Sequence, residues 1–221
     1  YALFDDLIDK DFFDAFDRVL FFGVGSAGYA ACAFSVAAPG ATVMAFRPQA
    51  TLNPRHAAFD RRFGDARALD FTSRYGYAPW MVEGAEAVHL FYDPLVPEDA
   101  GHAAQFNAAH VHHHPMRFFG PQPEFMLENE DWAELLFDLY DEDRLTDHRI
   151  ARLMRGRRED RNYIFRLLEA IGSKQPLRAA MVCHNVTQRM DAPRIRRRLQ
   201  ALRKQLAAQG IAAPFDRDDA A

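Results

Sequence analysis

The sequence predicts an α/β fold: a mostly parallel sheet with flanking helices, followed by a C-terminal helical module. Three observations predict it. Four short apolar runs, "VLFFG", "ATVMAF", "AVHLFY" and "AHVHHHPM", alternate with helix-like segments, as in a parallel sheet with right-handed crossovers. Hydrophobic residues make up 49% and aromatic residues 13% of the 221, enough for a substantial core. The charge changes sign along the chain. Residues 1–140 hold 9 basic and 20 acidic side chains, a net −11, whereas residues 141–221 hold 18 and 11, a net +7. That shift predicts a sheet-bearing domain over 1–140, a basic all-helical module over 141–213 and a frayed tail over 214–221.

In chain order, "ALFDDLIDKDFFDAFD" spaces Leu3, Leu7, Phe12 and Phe16 as amphipathic helical turns. The chain opens on Tyr1 inside this pattern, so further elements of the sheet are expected before it. "VLFFG" reads as a buried strand, and the Ala-rich "SAGYAACAFSVAA" as a helix packed close to a sheet and ended by Pro39-Gly40. "ATVMAF" is the second strand. "NPRHAAFDRRF" reads as a helix with Asn53 as N-cap and Pro54 in its first turn. Residues 64–84 are irregular and aromatic, suited to lining or covering a cleft. "AVHLFY" is the third strand, ended by Asp93-Pro94; "PEDAGHAAQF" is a helix, "AHVHHHPM" the fourth strand, and "PEFMLENEDWAELLFDLY" a longer helix. Beyond the charge shift, Thr146 is placed to cap "DHRIARLMRGRR", Gly172 to stop "DRNYIFRLLEAIG", and Asp191 to cap "APRIRRRLQALRKQLAAQG". In the last of these, Ile195, Leu199, Leu202 and Leu206 form one apolar stripe, too short for a coiled coil and so a packing face.

Composition excludes several classes. The two cysteines, Cys32 and Cys183, stand in no CxxC spacing, which argues against a disulfide framework or a cysteine zinc site and predicts a reducing, cytoplasmic setting. No apolar run approaches the ~18 residues that suggest a membrane span.

The chemistry centres on the turn in "RVLFFGVGSAGYAACAF". A nucleophile elbow is a sharp strand-to-helix turn that needs small residues two positions either side of its tip. With Ser26 at the tip, those positions are Val24 and Gly28, and Val24 fits poorly. With Gly25 at the tip they are Gly23 and Ala27, which fit, but glycine carries no nucleophile. The same residues match G-x-G-x-x-G, a dinucleotide-binding fingerprint, with Arg47 after the next strand suited to a 2′-phosphate.

The stretch "FFGVGSAGYAACAFSVAAPGATVMAFRPQATLNP" resembles the elbow strand, helix and following strand of α/β-hydrolase-like proteins, one branch of which has a "GxSxGGYAA"-type elbow and a "PQ" pair after the next strand. Aligning Gly28-Tyr29-Ala30 and Pro48-Gln49 puts Gly25 where that branch has serine. The order of elements from Val19 to about Tyr140 resembles the second half of the same fold. The resemblance implies an acid at Asp93 and a histidine in the loop after the fourth strand, where Pro121 follows Gly120 instead. Relatives of such sequences are also labelled phosphoadenosine phosphosulfate reductases, but the chain has no SGGxDS-like phosphate loop and no C-terminal cysteine motif.

These residues lead to an expectation and three alternatives. The expectation is a catalytically degenerate α/β-hydrolase-like protein that binds a small acyl, carbonyl or anionic ligand at Gly23, Gly25, Ser26, Ala27, Gly28 and Arg47, with no cofactor. The first alternative is an active esterase with Ser26 as nucleophile, Asp93 as orienting acid and His112 or His114 as base. The second is an NADP-binding oxidoreductase. The third is a scaffold whose C-terminal helices take a protein partner or self-associate. His110, His112 and His114 alternate along the fourth strand and are read as sharing one face, with His113 opposite. A metal is one use of such a face, but strand-end histidines in contact with solvent are the commoner outcome, so no metal site is assigned. The arginine clusters of the module, Arg149 to Arg161 and Arg194 to Lys204, come with no nucleic-acid-binding motif and few aromatics; they read as a solvated, ion-paired helix face.

Overall fold

The computed structural model describes residues 1–122, 124, 127, 131–213 and 215. They form two compact units, 1–153 and 154–221. The division falls after the predicted boundary, because the first helix of the basic segment packs on the sheet rather than with the helices that follow.

The first unit opens with α1 (Ala2–Asp9) and a short 3-10 turn at Phe12–Ala15. Four strands follow: β1 (Leu20–Val24), β2 (Thr42–Phe46), β3 (Ala87–Tyr92) and β4 (Val111–Pro115). They pair in parallel in the order β1-β2-β3-β4, with Gly23 opposite Ala45, Met44 opposite His89, and His89 opposite His112. The helices between them are α2 (Ser26–Phe34), α3 (Pro54–Ala57), α4 (Ala78–Met81) and α5 (Pro97–Ala103). Right-handed crossovers between strands laid down in one direction fall on one face of a sheet. In keeping with this, Ala31, Cys32 and Ala33 of α2 and Ala78 of α4 share a core with Val43, Ala45, Val88 and Leu90. The small residues of α2 let it approach the sheet closely, as the sequence predicts.

The opposite face is aromatic. Phe22, Phe46 and Phe91 follow one another across the strands, with Phe46 and Phe91 stacked at 4.3 Å and both fully buried. Each such ring contributes about 2–3 kcal/mol by leaving water. Two further helices belong to this unit: α6 (Trp132–Asp141), whose Phe137 meets Phe22, and α7 (Asp147–Leu153), which packs on β4. Thr146 accepts from the Arg149 N–H as expected. The first half of the predicted "PEFMLENEDWAELLFDLY" helix lies largely outside the described residues.

Several expectations change. Asn53 does cap α3, accepting from the Arg55 N–H at 3.0 Å, but the helix stops after one turn because the chain bends where Asp60 takes the Arg62 N–H. The irregular 64–84 segment both covers and lines: Tyr75, Ala78 and Val82 are buried over α2, while Phe71, Tyr77 and Trp80 border a surface cavity of about 400 Å³. His110 precedes β4 and bonds the Val82 carbonyl, so it does not share the face of His112 and His114.

The second unit contains α8 (Arg161–Ile171), α9 (Pro176–Arg189) and α10 (Pro193–Ala208). Asp160 caps α8 and Gly172, at φ 53°, ends it. Asp191 does not cap α10; its carboxylate pairs with Arg196 instead. The stripe is a packing face: Ile195, Leu199 and Leu206 are buried with Ile164, Leu168 and Cys183. Phe215 belongs to this core and stacks on His184 at 4.4 Å, so the predicted tail is anchored there; its remaining residues lie outside the described set. Several of the clustered basic side chains are engaged inside the unit. Arg157 donates to the Met154 carbonyl, Arg198 to that of Leu168, and Arg203 lies over the Phe215 ring. Among the described residues no helix is long and apolar enough to cross a membrane.

Candidate functional site

The glycine-rich turn joins β1 to α2. Gly25 stands at its apex with φ 58° and ψ −118°, a backbone conformation that a side chain strains. Its N–H donates to the Phe46 carbonyl at 2.8 Å, which ties the turn to the end of β2. Gly23 is required for a different reason: a Cβ there would lie 2.1 Å from the Ala27 carbonyl oxygen. Ser26 is the first residue of α2 and is exposed, as is Ala27.

Arg47 faces the apex. A Cβ built on Gly25 would meet its guanidinium at 3.6 Å. The Arg47 backbone is itself held at φ 41°, with its N–H donating to the Phe91 carbonyl at 2.7 Å. Its Nε and Nη2 donate to both carboxylate oxygens of Glu124, at 2.6–3.0 Å, and each side chain is only about a fifth exposed. Charge-assisted bidentate pairs of this kind are the strong class of hydrogen bond. The arginine picked out as a 2′-phosphate partner thus already holds a carboxylate.

Asp93, His112 and His114 are each engaged by other partners. Asp93 is buried, and its two oxygens accept the backbone N–H groups of Leu95 at 2.9 Å and Gly120 at 2.6 Å. Gly120 is the glycine after which a histidine was expected, so its backbone takes the place of an imidazole. His112 pairs with Asp147 and His114 with His89. Among the described residues no imidazole hydrogen-bonds Ser26.

The two histidines stand on the aromatic face of the sheet, beside residues the sequence reading missed. His89 Nδ1 and His114 Nε2 are 3.0 Å apart, and both rings are almost wholly buried. His114 also stacks on Phe91 at 4.7 Å, which extends the aromatic row. Asp147, at the start of α7, brings Oδ1 to 3.0 Å from His112 Nδ1 and 3.9 Å from His114 Nε2. Burial, with the charge of His112, pushes His89 down to about 4, and burial, with the charge of His89, pushes His114 down to about 3, so both rings are neutral at pH 7. The signal for His89 was present in "AVHLFY": an imidazole inside a run that is otherwise apolar. His113 points to the other face, bonding the Phe106 carbonyl at 3.0 Å, as the alternation predicts.

A second buried polar group lies on the helix-covered side. His102 Nδ1 accepts the Ala50 N–H at 3.2 Å, so its Nε2 carries the hydrogen and donates to Asp60 at 3.0 Å. Arg62 bridges Asp60 and Asp99. Burial lowers the affinity of His102 for a proton, whereas the bonds from Arg62 and His102 outweigh burial at Asp60 and hold its carboxyl at about 2. An oriented imidazole is half of a catalytic pair, but the ring and both carboxylates are sealed inside, and no described hydroxyl or thiol bonds His102.

No protein-family model matches the chain, and neither does any curated protein or solved structure.

Proposed function

We propose that the protein has an α/β-hydrolase-like fold without hydrolytic chemistry and binds a small carboxylate or related anion at the β1–α2 turn. The observation that carries this reading is the apex itself. A side-chain-free residue occupies the conformation an elbow nucleophile would need, and a guanidinium stands where that nucleophile's side chain would project. Four consecutive parallel strands in sequential order, with a sharp strand-to-helix turn after the first, support the fold assignment.

The chemistry of the turn favours an anion. The first N–H groups of a helix lack intrahelical acceptors and carry partial positive charge. Arg47 adds a full charge with planar, paired donors. Glu124 already presents a carboxylate to those donors, and a ligand carboxylate would take its place. Proton transfer has no route here, since Asp93 is occupied by backbone N–H groups and no imidazole bonds Ser26 among the described residues.

Calorimetric titration with acetate, longer carboxylates and phosphate tests the reading. Binding weakened about tenfold or more by Arg47→Gln is the expected result, with no turnover of an activated ester above the buffer rate. Ester turnover that Ser26→Ala abolishes would instead establish an esterase. NADPH binding weakened by Arg47→Ala would establish a dinucleotide site.

A further inference from the structure

The histidines on the aromatic face of the sheet form a more specific constellation than their sequence spacing suggests. Three donor atoms, His89 Nδ1, His114 Nε2 and a carboxylate oxygen of Asp147, all lie within 4.8 Å of one another. They come from three elements, β3, β4 and α7, and converge only because the parallel register sets His89 opposite His112 and beside His114. We propose that His89, His114 and Asp147 bind one divalent transition-metal ion of the zinc class, with His112 positioning the carboxylate.

The distances fit such an ion. Zinc takes imidazole nitrogen and carboxylate oxygen at about 2.0–2.2 Å, which places tetrahedral donors roughly 3.3 Å from one another. His89 Nδ1 and His114 Nε2 stand at 3.0 Å, so a small separation of the rings makes room for the ion between them. In the metal-free protein one of those nitrogens carries the shared hydrogen. Loading moves that hydrogen to the far nitrogen of the same ring, a tautomer shift with no net proton release. Asp147 Oδ1 is 3.9 Å from His114 Nε2, on an exposed side chain that also pairs with His112. His112 lies 3.0–3.2 Å from both oxygens of Asp147, the arrangement in which an outer group orients a ligating carboxylate.

The surroundings fit as well. The two imidazoles are fixed by burial, His114 stacked on Phe91 and His89 between His112 and His114, so the donor pair is preorganised. A phenylalanine at either position would continue the same aromatic row without a polar atom to satisfy. The exposed side, at Asp147 and His112, gives an ion an entry path and leaves the fourth position to water, as in zinc sites with three protein ligands. Imidazole and carboxylate together suit zinc, with iron(II), nickel and copper as chemical competitors.

The test is metal uptake by the full chain carrying no histidine tag. The protein is stripped with a chelator, dialysed against Zn2+ and assayed for bound metal; Co2+ is added in parallel for its ligand-field spectrum. The expected result is one equivalent per chain and a four-coordinate Co2+ spectrum that Zn2+ displaces. His89→Phe and His114→Phe each abolish stoichiometric uptake while keeping the tryptophan emission of the folded protein, and His112→Asn weakens it about tenfold. The double variant His110→Gln/His113→Gln retains uptake. Should the wild type take up no stoichiometric metal, or the His114→Phe variant load as well as the wild type, the proposal is overturned. Loss of uptake in the His110/His113 double variant would likewise overturn it by placing the ion elsewhere.

Discussion

Gly23→Ala is the substitution the structure makes most exacting. The new methyl would lie 2.1 Å from the Ala27 carbonyl oxygen, about 0.9 Å inside the 3.0 Å that Cβ atoms essentially never breach. The obstacle is backbone, 2.3 Å away at Ala27 C and 2.7 Å at Gly28 N, so no side chain can swing clear. Relief requires moving the first turn of α2, which is tied by the Gly25 N–H to Phe46 and by the Tyr29 N–H to Gly25. Overpacking of this kind costs roughly 3 kcal/mol or more. With a urea slope near 2 kcal/mol per molar for a domain of this size, the unfolding midpoint should fall by about 1.5 M. Tryptophan emission is the assay. Both tryptophans, Trp80 and Trp132, lie in the first unit, and Trp132 is buried beside Phe119, so the signal reports the unit that contains the turn. Gly64→Ala, where nothing lies within 4 Å of the added carbon, is the control and should change stability by no more than about 1 kcal/mol. If Gly23→Ala unfolds within about 0.5 kcal/mol of the wild type, the described turn geometry is wrong.

Two further predictions follow from buried polar groups. Asp93→Ala removes the acceptor for the Leu95 and Gly120 N–H groups and should cost roughly 2–4 kcal/mol, with Asp93→Asn recovering part of it; the same urea titration reads both. Asp60 is held at about 2 by Arg62 and His102, below its unfolded value. Its stabilising contribution is therefore complete above the unfolded pKa near 4 and is lost as the pH falls towards 2. The stability gap between wild type and Asp60→Asn should narrow by on the order of 1 kcal/mol between pH 6 and pH 3, and a constant gap across that range would remove the assignment.

The strands were legible because each is a short apolar run bounded by turn residues, and all four fall where the periodicity put them. The glycine turn was legible for the same local reason: spacing alone singled out Gly25 as the residue at the tip. What local patterns could not convey is pairing across long stretches of chain. Arg47 meets Glu124 across 77 positions, and His112 meets Asp147 across 35. No periodicity specifies either meeting, because each depends on how the parallel strands align and on where α7 returns to the sheet. Among the predicted caps and stops, Asn53, Thr146 and Gly172 hold and Asp191 does not. Asp191 has the right residue type in the right place, yet an arginine one turn on competes for its carboxylate.

The guanidinium over the turn also bears on how the chain can change. Installing a serine at position 25 alone would place a hydroxyl beneath a cation already clasped by Glu124, while Asp93 remains committed to the Leu95 and Gly120 N–H groups. On the reading proposed above, hydrolytic chemistry at this turn would require several coordinated replacements, none useful by itself. On that reading, the Arg47–Glu124 clasp works as a ratchet against gaining a nucleophile in a single step.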